Sequence, residues 1–335
     1  MGSKAMLTGL TIRRFRGIRE LELEGLAQVN VLLGRNNAGK SSVLEALYLA
    51  SAALSPIDPV READKMTYLL NRRGHRGLSP GVGWEVLWFG YDQSEDVKME
   101  LDFDGITLEV RLTRDQERPT LGFRAPAEMK NLMNRLYVES QEFFRALMFI
   151  DAALLRNIKQ VERTLWTPLL RDRSDRLVVE VLREGYGVPV EDLTYAPFGR
   201  IIQLVAKLPR TAVRVDDLGD GARYALVMVM AAALAKNTML LIEEPESHQH
   251  PGGLAKTLEM LLSLVKKNET QLFMTTHSLE LVRLVEAIGR EAGISLATFF
   301  LERSEDGLVR ARRVEASDRE LLAELGLDVR FLDVI

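Results

Sequence analysis

Residues Gly34-Arg35-Asn36-Asn37-Ala38-Gly39-Lys40-Ser41 fit the pattern G-x-x-x-x-G-K-[ST]. The apolar run Val29-Asn30-Val31-Leu32-Leu33 leads in and residues 42–49 leave with helical periodicity, the strand–loop–helix setting the pattern requires. Gly34 and Gly39 permit a tight turn whose amide N–H groups face inward and form an anion nest. The following helix adds the partial positive charge of its N-terminus. Lys40 can then reach β- and γ-phosphates, and the Ser41 hydroxyl can ligate Mg²⁺. Residues 34–41 with Ser42 are therefore candidate contacts for a nucleoside triphosphate, ATP with Mg²⁺.

Farther along, Met239-Leu240-Leu241-Ile242-Glu243-Glu244-Pro245-Glu246 is an apolar strand ending in paired carboxylates. Behind a phosphate loop this is the Walker B position, with Glu243 serving the metal and Glu244 polarising the attacking water. Glu243 stands where Asp is commoner and is one methylene longer. A second apolar strand, Phe273-Met274-Thr275-Thr276, ends in His277. A polar ring at a strand's C-terminal end, beside a ligand crevice, suits a contact to the γ-phosphate. Lys40, Glu244 and His277 are thus the candidate catalytic groups. Gln93, after the strand-like run at 85–91, is the candidate glutamine that senses Mg²⁺ and nucleotide, with Ser41 and Glu243 as the other metal-side residues.

The elements that must position these groups fall into an α/β pattern. Residues 7–15 and 18–23 alternate around Arg16-Gly17 and predict a hairpin before the phosphate-loop strand. Residues 54–83, rich in Pro, Gly and Arg, predict an irregular loop. Arg72, Arg73 and Arg76 in it could contact phosphates. Strand-like runs at 85–91, 97–103, 106–112 and 121–123 predict an antiparallel sheet, with a turn at Asp104-Gly105. Residues 127–183 are mainly helical, with a short strand-like run at 147–150. Strand character returns at 190–195 and 200–208, and strand–helix alternation from 220 to 292 implies a parallel sheet covered by helices. A last hairpin at 296–314 and a helix at 318–325 close the chain. The predicted organisation is an N-terminal ATPase lobe at 1–125, a mainly helical insertion at 126–215 and a C-terminal ATPase lobe at 216–335.

Composition narrows the classes. The chain has 335 residues, 47% hydrophobic and 27% charged, as in globular proteins. No apolar stretch reaches the roughly 18 residues of a membrane span, and the longest, 225–235, reads as a buried helix. The absence of cysteine excludes disulfides, thiol catalysis and a Cys zinc hook, and favours a cytoplasmic location. A net charge of −4 gives no global attraction to nucleic acid, so any DNA contact needs a local basic patch.

The chain resembles the ATP-binding-cassette/SMC superfamily, specifically the AAA-type ATPases of the OLD (overcoming lysogenization defect) kind. The resemblance is carried by Phe15-Arg16-Gly17-Ile18, the loop at 34–41, Leu218-Gly219-Asp220-Gly221, the string from Ile242 to Pro251, and Thr276-His277-Ser278. It implies a P-loop NTPase of the ABC/SMC-head type: a mixed sheet with an antiparallel β subdomain and an inserted helical subdomain. It further implies a head-to-tail homodimer sandwiching two ATPs, each pocket receiving Gly219, Asp220 and Gly221 from the other subunit. Residues 247–250 would serve as the D-loop crossing that interface. Three departures stand out. Gly219 replaces the signature serine, Asp220 sits where the signature has glycine, and Gln249 replaces the leucine usual before His-Pro, which together point to slow hydrolysis. The implied partners are DNA, or a nuclease or effector protein. The 58 residues after His277 leave no room for a Toprim nuclease domain, so a nuclease is expected to be a separate chain. A nucleotide-gated scaffold with little turnover and a transporter ATPase subunit are the competing readings.

Overall fold

A computed structural model describes residues 6–73, 83–103, 106–115, 118–124, 142–155, 158–199 and 201–315. Strands β1 (Leu7–Phe15) and β2 (Ile18–Glu24) form the predicted hairpin, with Phe15 opposite Ile18. β1 also pairs with β4 (Val97–Phe103), which continues through β5 (Ile106–Thr113) to β6 (Thr120–Arg124). The resulting five-stranded antiparallel sheet runs β2-β1-β4-β5-β6. Val97, Met99, Leu101 and Phe103 alternate inward along β4, the period-two signature of a sheet covered on one face.

The phosphate-loop strand β3 (Val29–Gly34) lies inside a second sheet. Its neighbours are β13 (Leu296–Arg303) on one side and β12 (Gln271–Thr276) on the other, followed by β11 (Met239–Glu243) and β7 (Met148–Ile150). These five strands are parallel, and β14 (Val309–Arg313) adds an antiparallel edge. β3 and β12 are buried throughout, as parallel strands with both faces covered must be. A third sheet, β10-β9-β8, consists of β8 (Asp192–Phe198), β9 (Ile201–Lys207) and β10 (Ala212–Arg214).

Helix α1 (Lys40–Ala52) is buried along nearly all of its length and packs against strands of both large sheets, so the first core is α1 between them. The second core covers the other face of the parallel sheet. It gathers α4 (Ile158–Asp172), α5 (Asp175–Tyr186), α6 (Asp220–Leu234), α7 (Pro251–Lys267) and α8 (Leu279–Ala292). Two short helices, α2 (Lys65–Asn71) and α3 (Ala152–Leu155), complete the described set. α6 is apolar on nearly every face, which suits a helix enclosed on all sides.

Four expectations change. Residues 85–91 are not a strand but two 3₁₀ turns, Trp84–Leu87 and Phe89–Tyr91. Gly90 at φ 60° breaks extension, and Leu87 and Trp88 plug the core, Trp88 bridging to Phe15. The segment expected to be irregular contains α2, capped by Asp64, which accepts from the Thr67 amide at 2.8 Å. β7 lies within the range expected for the insertion but pairs with β11 in the main sheet. β8 and β9 fall where strand character was expected, at 190–195 and 200–208, but β10 adds a third strand that was not expected. The turn at 104–105, most of the helical stretch at 127–141 and the closing helix at 318–325 lie outside the described residues.

Candidate nucleotide-binding site

Parallel pairing brings the C-terminal ends of β3, β11 and β12 to one edge, with Leu33 opposite Thr276 and Glu243 opposite Thr275. Such an edge is where open α/β sheets bind ligands. The loop leaving β3 is built from positions that tolerate few side chains. A Cβ on Gly34 would lie 2.5 Å from the Leu301 carbonyl oxygen, and Gly39, the N-cap of α1, has φ 98°. Asn37 takes φ 68°, a conformation to which Asn is better suited than most residues.

Lys40 curls over this loop. Its Nζ donates to the Gly34 carbonyl at 2.7 Å and the Arg35 carbonyl at 2.9 Å, and lies 3.1 Å from His277 Nε2. Burial pulls its pKa down to about 8, against the opposing pull of Glu244, Glu246 and Glu243. His277 Nε2 is also 3.3 Å from Glu244 Oε1. Burial, then the Lys40 charge, lower the His277 pKa below the usual histidine value, so the ring is neutral at neutral pH. Glu244 has φ 47°, a left-handed conformation that costs a non-glycine residue about 1–3 kcal/mol. Its amide nevertheless still donates to the Thr275 carbonyl at 3.1 Å. Glu246 Oε1 accepts from Thr276 Oγ1 at 2.5 Å and from the His277 amide at 3.3 Å, which ties the ends of β11 and β12 together.

Glu243 is mostly buried, and burial raises its pKa while Arg72 and the Ser41 hydroxyl oppose the rise. The Ser41–Glu243 contact joins the two motifs expected to share Mg²⁺. A hydroxyl and a carboxylate are hard oxygen donors of the kind Mg²⁺ takes alongside phosphate oxygens and water, so the residues fit that ion.

A cleft of about 250 Å³ opens here. Asn36, Asn37, Gly39, Lys40, Ser41, Ser42, Glu244 and His277 line it, as expected from sequence. So does Arg73, expected from sequence to contact phosphate, and so do Gly17 of the β1–β2 turn and Arg303 at the end of β13, which sequence reasoning missed. The Arg303 Nε is buried without a hydrogen-bond partner among the described residues. Gly34, Arg35 and Ala38 shape the loop without lining the cleft.

Beneath the cleft lies a buried charge network that sequence did not reveal. Arg72 pairs with Glu45 of α1, with Asp151 at 3.0 Å and with Glu243. Glu45, fully buried, is also held by Arg16 at 2.5 Å and Arg73 at 2.9 Å. Asp151 follows β7, beside the end of β11, and is held further by Arg61 and Tyr68. Its signal in the sequence is the same as that at 239–243, an apolar run ending in a carboxylate, but only three residues long. The expectation that Arg72 contacts external phosphate is corrected: its charge is consumed internally. Arg76 lies outside the described residues.

Gln93 does not join the site. It follows the second 3₁₀ turn, in a loop pinned by Arg14 to Asp92 at 2.5 Å, and is not among the residues lining the cleft. Asp151 and Arg72 stand beside Glu243 instead. Gly219, Asp220 and Gly221 open α6 and do not line this cleft either. Gly219 and Asp220 are exposed, and nothing lies within 4 Å of where a Gly219 Cβ would be. Gly221 differs: a Cβ there would be 2.5 Å from the His248 carbonyl oxygen.

Comparison with known proteins agrees with this geometry. The family described as "AAA domain, putative AbiEii toxin, Type IV TA system" matches residues 29–283. An ATP/GTP phosphatase of Helicobacter pylori is 20% identical over 95% of this chain and 98% of its own. The DNA replication and repair protein RecF of Anaeromyxobacter dehalogenans is 27% identical over 82% of this chain and 93% of its own. In fold, the chain is similar to an Smc head domain with an extended coiled coil, from Pyrococcus furiosus, solved bound to the C-terminal domain of ScpA. The TM-score is 0.56 at 11% identity, over 96% of this chain and all of that one. Among the described residues no helix is long and apolar enough to cross a membrane.

Proposed function

The chain belongs to the AAA-domain family whose profile covers residues 29–283, and on that footing we propose that it is a slow ATP-hydrolysing switch closed by ATP into a head-to-tail homodimer. The observation that carries the reading is the meeting of Lys40, Glu244 and His277 within 3.3 Å of one another along the chain Lys40–His277–Glu244, at the C-terminal edge of the parallel sheet. Lys40 exchanges its two loop carbonyls for phosphate oxygens. Glu244, turned out of β11 by its backbone, orients water and accepts its proton as the oxygen attacks the γ-phosphorus and the bond to the β–γ bridging oxygen breaks, releasing ADP and phosphate. Neutral His277 has a single ring N–H, which turns from Glu244 in the free protein to the γ-phosphate when nucleotide binds. Ser41 and Glu243 would hold Mg²⁺, which when bound would neutralise phosphate charge.

The exposed N-terminus of α6, with Gly219 and Asp220, faces a partner's nucleotide. Asp220 lies 3.5 Å from Arg223, which reduces its repulsion of phosphate without removing it, and hydrolysis is accordingly slow. The OLD-like assignment, a cytoplasmic location and a target that is DNA or a separate nuclease belong to the same proposal. Of these, the DNA target draws support from the DNA replication and repair protein RecF among the relatives, and a protein partner from the ScpA-bound head of the same fold.

Phosphate release from ATP, measured for wild type, Lys40→Ala and Glu244→Gln, tests the enzyme. Lys40→Ala should lose nucleotide binding, and Glu244→Gln should bind ATP normally while hydrolysis falls by about 10² or more, the size of a general-base contribution. Equal rates for Glu244→Gln and wild type would remove Glu244 from that role. Absence of turnover in wild type with ATP binding intact would leave a nucleotide-gated scaffold.

A further inference from the structure

Tyr186 is the last residue of α5, followed by Gly187 in the left-handed C-cap conformation. Its ring enters a space that two glycines leave open. A Cβ on Gly253 would come within 2.8 Å of the Tyr186 ring, and one on Gly221 within 3.6 Å. The hydroxyl has one proton, which it donates to Gln249 Oε1, and it lies 3.0 Å from Thr257 Oγ1 of α7. The Gln249 amide then donates through Nε2 to the Gly221 carbonyl at 3.0 Å. Gln249 is the residue that departs from the leucine expected before His250-Pro251, and Gly221 belongs to the segment that opens α6. One hydrogen-bonded relay thus joins α5, the turn after Glu244 and the start of α6, while Thr257 of α7, whose hydroxyl donates to the Gly253 carbonyl at 2.8 Å, lies beside it.

The turn itself is bound to the catalytic carboxylate, since Ser247 Oγ donates to Glu244 Oε2 at 3.3 Å and the Ser247 amide to the Glu244 carbonyl at 2.9 Å. His248 takes φ 63°, and its carbonyl fills the place a Gly221 side chain would need. From this arrangement we infer that Tyr186 is a positioning residue, which through Gln249 fixes the relative placement of the two segments presented to a partner subunit: the turn at 247–250 and the start of α6. The inference about dimer closure rests on the ATP-switch reading; the coupling of the two segments within one subunit does not.

A leucine at 249 could pack against the tyrosine ring but could neither accept its proton nor donate to the Gly221 carbonyl. The pair Tyr186–Gln249 therefore replaces apolar packing with a directional link. Motion of α5, which packs on α6 and α7, would be transmitted to both segments together.

The test uses the full chain as Tyr186→Phe, Gln249→Leu and the double variant. Hydrogen exchange in the ATP-free protein should speed about tenfold at the amides of residues 221–223 and of Gln249, His250 and Gly252 in each variant, with the loop at 34–41 unchanged. The double variant should add nothing beyond either single one, the mark of a shared interaction. In a Glu244→Gln background with MgATP, Tyr186→Phe should weaken dimerisation about tenfold, while ATP affinity measured at protein concentrations low enough to keep the subunit monomeric stays that of the parent. Unchanged exchange at both segments, or strictly additive effects, would overturn the positioning role. A Glu244→Gln parent that stays monomeric with MgATP would overturn the switch reading instead, and the exchange data would still decide the role of Tyr186.

Discussion

Replacing Arg72 by methionine tests the buried charge network most sharply, because the substitution keeps much of the apolar stem and removes only the guanidinium. In the native chain that group faces Glu45, Asp151 and Glu243. Glu45 would keep Arg16 and Arg73, and Asp151 would keep Arg61 and Tyr68. Glu243 would keep chiefly the Ser41 hydroxyl. The loss therefore falls mainly on one carboxylate. Removing one partner of a buried pair costs about 3–5 kcal/mol, and the surviving partners place the expectation near 3 kcal/mol. For a chain of 335 residues that corresponds to a Tm lower by about 4 °C at pH 8. The sign of the pH dependence follows from Glu243. Burial already raises its pKa, and loss of Arg72 raises it further. A carboxyl with a raised folded pKa destabilises the fold above its unfolded value, and protonation relieves the penalty as pH falls toward the folded one. The Tm gap between R72M and wild type should thus narrow from pH 8 toward pH 5. Thermal melts across that range decide it. A Tm within about 1 °C of wild type at pH 8, or a gap that widens on acidification, would refute the reasoning.

Three other outcomes follow from the same geometry. Lys40 begins to lose its proton near pH 8 in the free protein, whereas phosphate favours its charged form, so ATP affinity should fall about tenfold between pH 7 and pH 9; a flat profile in a fluorescent-nucleotide titration would contradict it. Arg303→Ala should weaken ATP binding by about tenfold or more, the worth of one hydrogen bond to a charged group. Adenosine binding measured calorimetrically should be unaffected, and an unchanged ATP affinity would remove Arg303 from the cleft's chemistry. Glu45 is pushed up by burial, but Arg16, Arg72 and Arg73 outweigh this and hold it below its usual 4.5. A depressed carboxyl stabilises above its unfolded pKa and stops doing so as pH falls through the folded one. The stability difference between wild type and Glu45→Gln, followed by urea unfolding, should therefore be full at pH 7 and shrink below pH 4.5; constancy across that range would contradict the pairing.

The nucleotide motifs were legible because each is local. A run such as 29–41 or 239–244 carries its strand, its turn and its functional side chain within one stretch, and parallel pairing then brings the strand ends together. Asp151 and Arg72 were not legible, because their roles exist only through contacts far along the chain: β7 against β11, and α2 against the underside of α1. The three residues of β7 are too few to show a period. Residues 85–91 misled for a related reason. Their apolar and aromatic run, Val86-Leu87-Trp88-Phe89, is met by two 3₁₀ turns that bury Leu87 and Trp88, and once that strand is lost Gln93 has no element to carry it to the cleft. Arg303 reaches the cleft by way of β13, which carries no nucleotide motif.

The central claim is that ATP bridges the loop at 34–41 of one subunit and the start of α6 of another. If so, nucleotide binding contributes free energy to association, and mass must follow nucleotide state. Light scattering on Glu244→Gln, with and without MgATP at one protein concentration, measures this directly. A shift from the monomer mass of 37.7 kDa to twice that value on adding MgATP, abolished by Lys40→Ala in the same background, is the predicted result. The same mass with and without MgATP, at saturating nucleotide, would contradict it.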